Sequence, residues 1–135
     1  MKRQGFTLIE LLIVLTLIGL SLSVVAPLGM AQLEKSRAFD EVMQLEQFCQ
    51  RSADKAYLSG QVLFVRAAQN QLTLARADAT EIARLSFSYL TFPEQNFTIN
   101  QHGFVDVMEL DYLNRGMERQ LPFPTALRQR AGHAD

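Results

Sequence analysis

Between Leu11 and Leu33 no residue carries a formal charge, and apolar side chains fill most positions without the alternation of a strand. At about 1.5 Å per residue, the stretch from Leu11 to Gly29 nearly covers a hydrocarbon core of roughly 30 Å, so the run predicts a transmembrane helix. From Glu34 the pattern changes. Phe39, Val42, Leu45, Cys49, Ala53 and Ala56 recur at helical spacing, with Glu34, Lys35, Asp40, Glu41, Arg51 and Asp54 falling between them. Such a stripe predicts that the helix continues in amphipathic form, with one face to bury. No turn cluster intervenes before Ser59-Gly60, so one helix is expected from Phe6 to about Leu58, ended by Gly60 as a left-handed cap. Pro27 removes a backbone donor and crowds the preceding turn, which predicts a kink around Pro27 and Gly29.

Beyond Gly60 the pattern turns to short β-prone runs: Val62–Arg66, Gln71–Ala75, Arg84–Leu90, Asn96–Asn100, Phe104–Tyr112 and Met117–Phe123. Turn-forming clusters separate them at Ala68-Gln69-Asn70, Ala77-Asp78-Ala79, Phe92-Pro93-Glu94, Gln101-His102-Gly103 and Asn114-Arg115-Gly116. Successive hairpins with one apolar face need a cover, and the amphipathic half of the helix supplies it. The expected class is α+β, a long N-terminal helix packed on a small antiparallel β domain. Pro122 and Pro124 should confine the last strand to a sheet edge. The organisation read from the chain is a leader over 1–5, a membrane helix over 6–33, and a domain over 34–135. That domain divides into an amphipathic helix over 34–58, a β-rich part over 61–123 and a polar tail over 124–135.

Glu10 is the anomaly of the apolar segment. An ionised side chain inside a membrane helix costs roughly 2.5–3.5 kcal/mol on insertion scales, so it should have a partner or a task. Met1-Lys2-Arg3-Gln4-Gly5 followed by Phe6-Thr7-Leu8-Ile9-Glu10 resembles the prepilin signal of type IV pilins and type II secretion pseudopilins. That signal is a short basic leader, a Gly, a Phe, and a Glu after three further residues. The resemblance is dense from Gly5 to Pro27 and fades beyond it. It implies cleavage between Gly5 and Phe6 by a membrane aspartyl peptidase, N-methylation of Phe6, and a role for Glu10 in assembly. It also implies a Pro at the place of Pro27, where neighbouring turns can lose helicity in a filament. Lys2 and Arg3 before the apolar core, with small residues at Gly29-Met30-Ala31, also resemble a secretory signal peptide. The length of the run and a carboxylate within it argue against that reading.

Lys2 and Arg3 precede the membrane segment, so the positive-inside bias keeps the N-terminus cytoplasmic and sends the C-terminal domain across the membrane; the resemblance implies that this is the bacterial inner membrane and that the domain lies in the periplasm. From Glu34 onward 11 Lys and Arg face 13 Asp and Glu, too even a balance for a nucleic-acid field. Arg115, Arg119, Arg128 and Arg130 form the one basic concentration, which reads as solvated side chains. A single cysteine, Cys49, leaves no intramolecular disulfide to form, and its place on the apolar stripe makes it a small buried hydrophobe.

No catalytic constellation emerges. His102 sits in an expected turn and His133 in the tail, without the spacing of a metal motif. Asp106, Glu109 and Asp111 lie close in sequence but lack the loop residues of calcium motifs, and neither a phosphate loop nor a nucleophile elbow is present. The expectation is a non-enzyme without cofactor or metal. The resemblance implies a minor pseudopilin or minor pilin, by layout most similar to the GspH/FimT group. Its partners would be other pilins, the prepilin peptidase and the inner-membrane assembly platform. The alternatives are a membrane-anchored periplasmic binding module, marked by cleavage near Ala31, and an adhesive or DNA-binding minor pilin, marked by salt-dependent DNA binding.

Overall fold

The computed structural model describes residues 5–124 and 127 of the 135. The leader residues 1–4, Arg128, Arg130, His133 and most of the expected tail lie outside the described residues. The chain divides into two compact units, Met1–Ser36 and Arg37–Asp135. One helix, α1 (Leu8–Ser59), contributes to both.

In the first unit α1 is exposed along its whole described length and is long and apolar enough to cross a membrane. The three hydroxyls of its charge-free stretch between Leu11 and Leu33 are turned back on their own helix. Thr16 Oγ1 donates to the Leu12 carbonyl at 2.7 Å, Ser21 Oγ to that of Leu17 at 2.8 Å, and Ser23 Oγ to that of Leu20 at 2.7 Å. In hydrocarbon no water is available to pair a hydroxyl, so this back-bonding lets polar side chains sit in an apolar segment. The helix assignment runs unbroken through Pro27, where the ring leaves the Ser23 carbonyl without its usual donor.

In the second unit, six strands form one sheet: β1 (Leu63–Gln69), β2 (Gln71–Arg76), β3 (Glu81–Ser86), β4 (Leu90–Ile99), β5 (Glu109–Asn114) and β6 (Met117–Pro122). The order across the sheet is β3-β2-β1-β4-β5-β6, and every neighbouring pair is antiparallel. The α+β class is thus the one expected, and β6, which ends on Pro122, lies at an edge. Period-2 burial selects the inner face: Leu63, Val65 and Ala67 of β1, Leu72 and Leu74 of β2, Phe97 and Ile99 of β4, Leu110 and Tyr112 of β5. Against these pack Leu45, Cys49, Ala53 and Ala56 of α1, and Ala38 and Ser52 on the same helix are also buried. Most of the helix residues in that row are small, which allows a close approach. At Gly103 (φ +78°) a Cβ would lie 3.0 Å from the Ala53 carbonyl oxygen, so the β4–β5 connection meets the helix backbone where only glycine fits.

Several local expectations are corrected. The stripe on α1 begins at Ala38, whereas Phe39, one residue round the helix, is exposed. The third strand ends at Ser86 rather than Leu90, and Leu90 opens β4. Phe92-Pro93-Glu94, expected as a turn, lies inside β4. The β4–β5 ladder covers only Leu90 and Thr91, and the β1–β4 register shifts between Ala67 and Gln69, so Pro93 falls where the regular ladder is interrupted. Past that point the Gln95 side chain stands in for the missing rungs, with Nε2 donating to the Asp111 carbonyl at 2.6 Å and Oε1 accepting the Asp111 N–H at 3.3 Å. The expected strand Phe104–Tyr112 is regular only from Glu109. Asp106 takes the Thr98 N–H at 2.8 Å and the Thr98 hydroxyl at 2.9 Å, holding its segment in a bend.

Glu41, read as one of the polar residues between stripe positions, is half-buried and fastens the sheet to the helix. Its Oε1 accepts the Ser88 N–H at 2.7 Å, and its Oε2 accepts those of Tyr89 at 2.8 Å and Leu90 at 3.2 Å. One carboxylate therefore satisfies three successive backbone donors in the β3–β4 connection. A fragment beginning at Glu34 is expected to be soluble with a single cooperative thermal transition. In it, Glu41→Ala should lower unfolding free energy by about 2 kcal/mol, measured by urea denaturation with unchanged slope.

Candidate processing and assembly segment

Gly5, Phe6 and Thr7 precede the helix and are exposed. The expected start at Phe6 is displaced to Leu8 because Thr7 is the N-cap. Its carbonyl accepts the N–H groups of Glu10 at 3.1 Å and Leu11 at 3.2 Å, and its Oγ1 accepts the Glu10 N–H at 3.3 Å. Glu10 thereby becomes the third residue of the first turn, where a carboxylate is favoured by the unpaired N–H groups and by the helix dipole. Thr7-x-x-Glu10 is the spacing of a capping box, a signal legible in the sequence that the expectation of a helix from Phe6 passed over. Only half of the box is made. Thr7 holds the Glu10 N–H, while the exposed Glu10 carboxylate has no hydrogen-bond partner among the described residues. The arrangement brings Gly5, Phe6 and Glu10 to one helix end, with the Gly5–Phe6 peptide outside the helix and, one turn inside it, a carboxylate that no described residue engages.

Pro27 and Gly29 lie about five turns further on, and nothing stands within 4 Å of a Cβ placed at Gly29. They belong to the apolar segment and make no part of the N-terminal arrangement.

The remaining candidates are placed elsewhere. Cys49 is 3% exposed within the core, and its thiol is pushed up to about 12, first by burial and second by the nearby Glu46 carboxylate. A thiol held protonated is a poor nucleophile and metal ligand. His102 occupies the turn that closes at Gly103, where Asn100 Oδ1 accepts its backbone N–H at 2.9 Å. Asp106 is committed to Thr98, and Asp111 Oδ1 accepts from Gln120 Nε2 at 3.0 Å. Among the described residues no three His, Cys, Asp or Glu side chains converge to hold a metal ion. Arg115 lies in the β5–β6 turn with Gly116, both at positive φ, the geometry of a type I′ hairpin. Native protein at pH 8 is expected to leave Cys49 unlabelled by iodoacetamide over hours, with one label added after denaturation; intact mass reads both states.

No curated protein and no solved structure matches the chain. Residues 1–26 match the prokaryotic N-terminal methylation motif, so the chain carries a type IV pilin-like signal at the end where Gly5, Phe6, Thr7 and Glu10 are gathered.

Proposed function

We propose that the chain is a minor pseudopilin or minor pilin, a structural subunit of a type II secretion pseudopilus or type IV pilus, rather than an enzyme. The observation that carries the reading is the Glu10 carboxylate, which no described residue engages, one turn inside a non-helical Gly5–Phe6 peptide, at the head of an apolar stretch whose hydroxyls on Thr16, Ser21 and Ser23 donate to their own helix. In this reading the prepilin peptidase cuts between Gly5 and Phe6 and methylates the new terminus. The layout of a long helix followed by short strands favours the GspH/FimT group of minor subunits. Residues 6–33 serve as membrane anchor and assembly helix, and residues 34–135 form the periplasmic domain, an orientation supported by Lys2 and Arg3 in the leader.

Cleavage creates a charge. The amine on Phe6 is cationic near neutral pH, and leaving it unpaired in lipid or among packed helices is costly. Glu10 offsets it, either within the subunit or from an adjacent pilin docked at the one axial offset that pairs both charges. Pro27 and Gly29 give the helix a soft joint that accommodates insertion among neighbours and release from the assembly platform.

The mature membrane protein is expected to begin at methylated Phe6, read by intact mass. A chain beginning near Gln32 would overturn the pilin reading in favour of an ordinary secreted module. Glu10→Ala should leave insertion and cleavage intact while lowering co-purification with partner pilins, and with it secretion or piliation, at least tenfold. Assembly at the wild-type level would remove Glu10 from the mechanism.

A further inference from the structure

Resting on the reading that Gly5–Phe6 is a cleavage site, we infer that Thr7 is a positioning residue for that cleavage: by fixing the first helical residue at Leu8, it holds the Gly5–Phe6 peptide outside the helix, in a form a peptidase can take up.

Hydrolysis of this bond adds the hydroxyl of a water molecule to the Gly5 carbonyl carbon, breaks the bond to the Phe6 nitrogen, and leaves the water's remaining proton on that nitrogen. The carbonyl must therefore be open to attack and free to be polarised. In a helix it would be neither, because each carbonyl is sealed against the N–H four residues on. Breaking that bond is hardest beside lipid, where the freed groups find no water.

The structure places the boundary with little to spare. The first carbonyl to accept a helical bond is that of Thr7, two residues beyond the scissile carbonyl. Nothing else in the sequence halts the helix there. Phe6 is a tolerable helix residue, and Gly5 is itself an acceptable N-cap. Were the helix to start two residues earlier, with Gly5 as its cap, the Gly5 carbonyl would take the first helical bond from the Ile9 N–H, and the scissile group would be closed. The Thr7 Oγ1 contact to the Glu10 N–H at 3.3 Å is what favours the later start. The open surroundings of Gly5 fit the same role, since among the described residues nothing beyond its chain neighbours stands within 4 Å of a Cβ placed there. The half-made capping box adds a consequence for Glu10. The Thr7 side chain supplies the cap alone, so helix initiation does not occupy the carboxylate that the cleaved amine needs.

The test uses the full chain in detergent micelles with a purified prepilin peptidase, comparing wild type, Thr7→Val and Thr7→Ser. Valine keeps the shape and branching of threonine and loses the oxygen; serine keeps the oxygen. Cleavage at Gly5–Phe6, followed by mass, is expected to slow about fivefold in Thr7→Val, the population shift of a typical N-cap loss, and to stay within about twofold of wild type in Thr7→Ser. Carbonyl ¹³C shifts at Gly5 and Phe6 in the uncleaved chains should move toward helical values in Thr7→Val only. Cleavage of Thr7→Val at the wild-type rate overturns the inference. So does slowing without a change in those shifts, which would mean that the peptidase reads the side chain directly, and so does a Thr7→Ser chain as slow as Thr7→Val. If the wild-type chain is not cut at Gly5–Phe6 at all, the processing reading itself falls, and the inference falls with it.

Discussion

A helix in hydrocarbon has no solvent to satisfy its polar groups, and the N-terminal segment is built around that constraint. Thr16, Ser21 and Ser23 each return their proton to a carbonyl of the preceding turn. Two departures stand out against this background. Pro27 leaves the Ser23 carbonyl without its usual partner, and Glu10 presents a carboxylate that no described group engages. Of these, the carboxylate is far the more expensive to leave in lipid, so it defines what the segment still needs: a cation near the helix head.

The second unit answers a different problem. An open six-stranded sheet has one apolar face to cover, and the helix row that covers it is built largely of small residues, so the backbones come close. Close approach leaves little room for loops, which shows at Gly103, where a side-chain carbon would press on the Ala53 carbonyl oxygen. It also strands backbone donors where strands begin. The three N–H groups from Ser88 to Leu90 run from the β3–β4 connection into the first residue of β4, and Glu41 collects all of them. Further along β4, Gln95 pairs with both the N–H and the carbonyl of Asp111 beyond the point where the β4–β5 ladder stops. Single polar side chains thus finish hydrogen-bond networks that the strands leave incomplete, and a lost partner there exposes several groups at once.

These cases also explain what the sequence made legible. A charge-free run followed by a helical stripe announced the long helix and its change of character at Glu34, because periodicity is a local property. The hairpin turns at Ala77–Ala79 and Asn114–Gly116 were equally local, and they stand. The failures are non-local. Glu41 sits among charged neighbours on a helix, and its partners are 47 to 49 residues away, where no pattern on the helix points. Phe39 fits the stripe by helical spacing to Val42, yet the row through Leu45 and Cys49 reaches Ala38 and leaves Phe39 about 100° round the helix. Pro93 reads as a turn by propensity, but an interruption between neighbouring ladders accommodates it inside a strand. At the N-terminus the sequence held more than was taken from it, since Thr7-x-x-Glu10 marks a helix start by itself.

That cap ties the two chemical requirements of the N-terminus together. If helix initiation used the Glu10 carboxylate, pairing the new amine would compete with the first turn, and each would weaken the other. Thr7 removes the competition by capping with its own oxygen, which lets the helix begin at Leu8 while the anion stays exposed above it. In the proposed pilin reading, the carboxylate can then change partners without unwinding the helix: its own terminus in the membrane, a neighbour's terminus in a filament. A subunit that must pass from lipid into an assembly needs one interaction able to exchange while the rest of its polar groups remain satisfied. In the apolar segment the hydroxyls are spent on their own backbone, and the proposed reading therefore gives that exchange to Glu10.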